Sequence, residues 1–313
     1  MPSVARTAPC RVLIVHTDTG REGSHAQTCC PTTVVPSGHV YEEVLMNAAT
    51  NSGGTGQYAS VNGVRLYFEV HGTGDPLVLL HGGVAGLAML GTILPALAAT
   101  RQVIAVELQG HGRTADVDRP LRYETMADDI AALLAHLGIE RADLMGYSLG
   151  GGVALQTAVR HPARVRTLVV VSTAYARTGW YPAVLADFDR MGPETGAGMA
   201  QSPLSQLYPA VDWSALFAKI GDMQRQPYDW SRQVAALTLP VLLVFADADA
   251  LRTTHIMDFF ALLGGGQRDA GVDGSARPPV QLAILPGCTH YDIIAAPALA
   301  QVVAPFLDAL SLR

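Results

Sequence analysis

Between residues 76 and 172 short apolar runs take turns with helical patterns. The runs are PLVLL (76–80), QVIAVEL (102–108), ADLMGY (142–147) and VRTLVVVS (165–172). Near-continuous apolar runs of this length suit strands buried on both faces. GLAMLGTILPALAAT (86–100), TMADDIAALLAHLGI (125–139) and LGGGVALQTAVRHP (149–162) separate them and carry the helical period. Thr125 is placed to cap the second helix and Gly138 to end it, while Pro95 complicates the end of the first. The alternation resumes with a strand LPVLLVFAD (239–247), a helix TTHIMDFFALLGG (253–265), a strand PVQLAILPG (279–287) and a closing helix PALAQVVAPFLDAL (297–310). Strands connected through helices build a mostly parallel, doubly wound sheet. Ahead of them, YASVNGVRLYFEVHG (58–72) reads as a hairpin around Asn62-Gly63, which brings the sheet to eight strands.

The expected α/β core is therefore 57–172 plus 237–313. The intervening 173–236, rich in proline and aromatics, reads as an insertion over one end of the sheet. Residues 1–56 show no sustained period, and NSGGTG (51–56) resembles a flexible linker. That stretch is either a disordered tail or an extension created by a misassigned start, with Met46 as the true one. The polar run GGGQRDAGVDGSARPP (264–279) is expected to be surface, the alternative being a rim of the entrance or a partner contact.

A chain of 313 residues, 49% hydrophobic, can bury a large core. With 15% charged residues, a net charge of −6 and no Lys/Arg stripe, nucleic acid is not an expected partner. Cys10, Cys29, Cys30 and Cys288 do not form a disulfide framework, which suits a reducing compartment. No apolar run nears the ~20 residues of a membrane span, so the expected location is cytoplasmic, away from the membrane.

The chemistry centres on GYSLGG (146–151), where Ser148 stands between a strand and a helix. In a G-x-S-x-G at such a junction the serine sits on a tight, strained turn, and side chains on the flanking positions would clash. A serine hydroxyl needs a base to take its proton. His290, in the loop after strand 279–285, is the best placed of the ten histidines. His81 and His111 lie in Gly-rich loops before the serine, and His136 and His255 lie within helices. The base needs an acid, and Asp247 and Asp249 both follow the apolar strand segment 240–245. Asp249, further from the strand, is preferred; Asp247 would shape the turn or cap the next helix. An oxyanion needs N–H donors: Leu149 at the helix start is one, and Gly83 in the HGG loop is the other, with Val84 its alternative.

HGG (81–83), ELQGHGRT (107–114), GYSLGG (146–151), FADAD (245–249) and GCTHYD (287–292) occur in this order across roughly 58–311. In them the sequence resembles the α/β-hydrolase superfamily. It is most similar to the single-domain members with a short helical cap: esterases, lactonases, C–C hydrolases and cofactor-free haloperoxidases. The resemblance implies a Ser-Asp-His triad, an acyl-serine intermediate, and 173–236 as the cap. It departs at Glu107 and Gln109, where many relatives carry Asp and Arg.

The expected activity is hydrolysis of a medium-sized hydrophobic carboxylic ester or lactone, without metal or organic cofactor. Val84, Tyr147, Tyr175, Trp180 and Trp213 are the expected substrate contacts. The same triad could serve C–C cleavage, amide hydrolysis or perhydrolysis. A ligand-binding protein with little turnover stays open as well, and so does pairing of two copies into a homodimer.

Overall fold

The computed structural model describes residues 55–311. The questions about the tail and start site at 1–54 lie outside the described residues. β1 (Thr55–Val61) and β2 (Val64–His71) form the expected hairpin, with Asn62 and Gly63 both at positive φ (47° and 81°). The strand begins earlier than the composition suggests: Thr55 and Gly56 pair with Val70 and Glu69 instead of belonging to a linker.

β3 (Pro76–Leu80) follows, then a 3-10 turn (Leu87–Leu90) and α1 (Ile93–Ala98). The single helix expected over 86–100 is thus divided. Pro95 sits in the first turn of α1, where it has no helical N–H bond to lose, so the helix restarts just before it. β4 (Gln102–Glu107) leads to α2 (Tyr123–His136). Here Thr125 is not the cap: the helix starts after the extended Arg122, and Thr125 Oγ1 donates to the Arg122 carbonyl at 3.1 Å. α2 does end at Leu137–Gly138 as expected, with Ile139 N–H returning to Leu134 O at 2.9 Å.

β5 (Ala142–Tyr147), α3 (Leu149–Arg160) and β6 (Val165–Val171) complete the first half. Five helices then intervene: α4 (Pro182–Arg190), α5 (Pro193–Met199), α6 (Pro203–Leu207), α7 (Trp213–Arg225) and α8 (Ser231–Ala235). The sheet resumes with β7 (Val241–Ala248), followed by α9 (Thr253–Leu262), β8 (Val280–Thr289) and α10 (Pro297–Ser311).

The strand order is β1-β2-β4-β3-β5-β6-β7-β8. β2 pairs antiparallel with β1 and β4, and every other neighbour is parallel. The sheet is the expected eight-stranded, mostly parallel, doubly wound one. β5 is buried along its whole length, as a central strand covered on both faces must be. Parallel pairing brings the C-terminal ends of β3, β5, β6, β7 and β8 to one edge. Among the described residues, no helix is long and apolar enough to cross a membrane.

Candidate active site

Ser148 occupies the single-residue step from β5 to α3, at φ 52° and ψ −114°. A non-glycine residue there costs about 1–3 kcal/mol and persists only when its surroundings impose it. They do so through three hydrogen bonds. Ser148 N–H donates to Val171 O (2.9 Å), and Ser148 O accepts from Gly152 N–H (3.1 Å) and Thr173 Oγ1 (2.8 Å). The step is also tight. A Cβ on Gly146 would lie 2.1 Å from Gly150 O, and one on Gly150 would lie 2.4 Å from His81 O. The glycines are therefore steric requirements of a turn wedged against the HGG loop.

Ser148 Oγ lies 3.1 Å from His290 Nε2, and His290 Nδ1 lies 2.9 Å from Asp249 Oδ1. An ionised carboxylate only accepts, so Nδ1 carries the proton and Nε2 presents its lone pair to the serine. Asp249 is buried. Burial works to raise its pKa, but the hydrogen bond and charge of His290, the Ser172 hydroxyl (2.6 Å) and the Ala246 N–H (3.1 Å) outweigh it and hold the group below its ordinary value. Asp247 points elsewhere. It is exposed and accepts the Gly287 and Cys288 N–H groups at 3.0 and 3.2 Å, which fixes the end of β8. The Tyr147 hydroxyl donates to the His290 carbonyl, and the rings of Trp180, Tyr147 and Tyr291 pack within 5.4, 5.6 and 5.4 Å of the imidazole.

Gly83 packs against the Leu149 side chain: a Cβ there would sit 3.5 Å from Leu149 Cδ1. The N–H groups expected to act as oxyanion donors thus belong to neighbouring residues beside Ser148. Val84 follows at φ 62°, a strained conformation for a β-branched residue. The loop is braced from below. His81 Nδ1–H donates to Gly82 O (2.6 Å) and His81 Nε2 accepts Leu108 N–H (3.1 Å). Burial pushes the His81 pKa down to about 3 and that of the adjoining His111 to about 4, so both rings are neutral parts of the frame. Farther along, Glu107 accepts the N–H groups of Leu87 (3.2 Å) and Arg113, and the Tyr208 hydroxyl accepts that of Ala88 (3.0 Å). Burial raises the Glu107 pKa, against the hydrogen bond and charge of Arg113. Glu107 does pair with Arg113 Nη1 at 3.4 Å, while Gln109 joins Asp116 (2.8 Å) and Arg119 (2.7 Å) through its amide.

Ser148 and His290 open onto a cavity of about 450 Å³. Val84, Tyr147 and Trp180 line it, together with Gly83 and Leu149. Tyr175 and Trp213 do not. Tyr175 stacks on His255 at 4.0 Å, and Trp213 is buried where α7 begins, with its carbonyl against Gly196. The 173–236 aromatics that reach the cavity are Trp180, Phe188 and Phe217, joined by Val184, Met191, Met199, Ile220 and Gln224. No residue of the 264–279 run lines it, in keeping with a surface loop. Ser172 and Gln224 carry no sequence motif. The one signal for Gln224 is a polar residue on the apolar stripe of an amphipathic helix.

The C-terminal edge of this mostly parallel sheet thus carries a strained serine, hydrogen-bonded to a histidine that is itself bonded to a buried aspartate. A family model described as "alpha/beta hydrolase fold" matches residues 75–207. The chain is 32% identical to a pimeloyl-[acyl-carrier protein] methyl ester esterase of Aeromonas hydrophila subsp. hydrophila, over 58% of this chain and 80% of that protein. It is 39% identical to a 2-hydroxymuconate semialdehyde hydrolase of Pseudomonas sp. (strain CF600), over 41% of this chain and only 47% of that relative. A carboxylesterase structure from Bacillus subtilis superposes with TM-score 0.66 at 21% identity, covering 88% of this chain and 99% of that one, which is a likeness of fold. The chain belongs to the α/β-hydrolase fold family, and hydrolases are among its relatives.

Proposed function

We propose that the chain is a serine hydrolase that cleaves a medium-sized, uncharged carboxylic ester or lactone through an acyl-Ser148 intermediate. The observation that carries this reading is the unbroken relay from Ser148 Oγ to His290 (3.1 Å) to Asp249 (2.9 Å) at the floor of a largely apolar cavity. His290 Nε2 takes the serine proton as Oγ attacks the carbonyl carbon. The N–H groups of Leu149 and Gly83 receive the oxyanion. His290 then protonates the leaving alkoxide. In the second half-cycle it deprotonates the water that attacks the acyl carbon, and returns the proton to Ser148. Asp249 stabilises the transient imidazolium without taking its proton.

C–C cleavage is the rival reading, because one relative is a 2-hydroxymuconate semialdehyde hydrolase, whose substrate name specifies a carboxylate. The cavity favours the ester. Among the described residues no Lys or Arg lines it, so a bound carboxylate would be buried without a partner. The two readings separate on a panel of p-nitrophenyl esters with acyl chains of varied length, set against a carboxylate-bearing vinylogous 1,5-diketone. Turnover of the esters, lost in Ser148→Ala, is expected. A higher kcat/KM for the diketone would overturn the proposal.

A further inference from the structure

Where 173–236 supplies the cavity wall, that wall is apolar with one exception. Gln224 lies on α7 in line with Trp213, Phe217 and Ile220, at spacings i, i+4, i+7 and i+11, on the face the helix buries. A polar side chain there needs protein partners, because water no longer supplies them. The amide has one: Nε2 donates to the Tyr123 hydroxyl at 3.2 Å. Its carbonyl oxygen is buried and has no partner. Gln224 is 6% exposed and borders the same cavity as Ser148. Trp180, the other residue of 173–236 with a polar atom at this wall, spends its indole N–H on the Tyr228 hydroxyl at 3.1 Å. Among the described residues that line the cavity, Gln224 alone has a buried side-chain polar atom with no hydrogen-bond partner.

We propose that Gln224 sets the specificity of the cavity: its Oε1 accepts a hydrogen bond from a hydroxyl that the substrate carries away from its scissile carbonyl. Ester cleavage at Ser148 is presupposed, and the two can fail separately in the experiment below. A stranded buried acceptor is costly, and a substrate hydroxyl relieves it. A substrate with a methyl group at that place leaves the oxygen stranded, which is how a polar group inside an apolar pocket discriminates. A charged ammonium would be a poor donor, because among the described residues no carboxylate lines the cavity to neutralise it. The Tyr123 hydroxyl, itself buried, holds the amide in place. If the amide were turned over, its oxygen would face Tyr123 and an N–H would be left for the ligand, which would then favour a ketone over a hydroxyl.

The test compares kcat/KM of the native protein for p-nitrophenyl 6-hydroxyhexanoate, heptanoate and 6-oxoheptanoate, and for the same trio with longer chains. Apolar packing alone makes the methyl-ended ester the best of each trio. The expected result is the reverse at one or more lengths, with the hydroxyl ester ahead by roughly tenfold or more. Gln224→Met is expected to abolish that preference. A methyl-ended ester that leads at every length, a ketone that leads, or a hydroxyl preference that survives in Gln224→Met each overturn the proposal. Ligand-induced thermal shifts with 8-hydroxyoctanamide and nonanamide read the same contact without turnover. A larger shift with the hydroxyl compound is expected, and an equal or smaller one overturns the role of Gln224. Absence of hydrolysis for all the esters, with that larger shift retained, would instead overturn ester cleavage at Ser148.

Discussion

At the scale of single residues, the two aspartates at the C-terminal end of β7 divide the work by position. Asp249 faces His290 and is held by three donors; Asp247 faces solvent and two backbone amides. Asp249→Asn should therefore lower kcat by roughly 10⁴, because an amide no longer fixes the histidine tautomer. Asp247→Asn should stay within a few-fold of the native rate. Steady-state kinetics on one aryl ester checks both, and full activity in Asp249→Asn with loss in Asp247→Asn would reverse the assignment. Ser148, Asp249 and His290 were legible in the sequence because each follows a strand whose end the parallel order carries to one edge. Ser172, which donates to Asp249 from the end of β6, was not legible: a serine at the end of a strand has no pattern of its own.

At the scale of elements, the elbow depends on two backbones touching. Gly150 stands where a Cβ would meet His81 O at 2.4 Å and Leu80 O at 2.7 Å. Gly150→Ala should drive α3 away from the HGG loop and separate Leu149 from Gly83. A loss of about 10²-fold in kcat/KM is expected from that displacement, together with a lower melting temperature. Gly198 is the contrast: a Cβ there meets nothing within 4 Å, and α5 is a helix. Gly198→Ala should leave activity unchanged and be neutral or stabilising by about 0.5–1 kcal/mol. Equal damage from both would mean that the close approach at Gly150 does not matter. The long strands and helices of the core were readable from their periods. The helices of 173–236, five to thirteen residues long, hold too few turns for a period to separate inward from outward aromatics. Tyr175 and Trp213 were therefore expected at a cavity that Phe188 and Phe217 reach instead.

At the scale of the whole molecule, the fold depends on histidines kept neutral. His81 and His111 are fully buried, and burial lowers their folded pKa values to about 3 and about 4 from an ordinary 6.5. The unfolded chain takes up these protons first. Their contribution to stability is therefore complete above pH 6.5 and is lost as the pH falls from there toward the folded values. At pH 5 the loss is on the order of 2 kcal/mol for each ring. The urea midpoint should drop between pH 7 and pH 5, and His111→Phe should flatten that drop; a midpoint independent of pH would contradict the buried neutral pair. The same frame carries the HGG loop, so stability and reactivity share one support under Ser148. Reactivity itself is read most directly by titrating the native protein with a fluorophosphonate and mapping the adduct by mass spectrometry while following aryl-ester hydrolysis. One adduct per chain at Ser148 is expected, with activity falling in step with labelling. Turnover that persists after Ser148 is fully labelled, or an adduct confined to another residue, would contradict a nucleophilic Ser148.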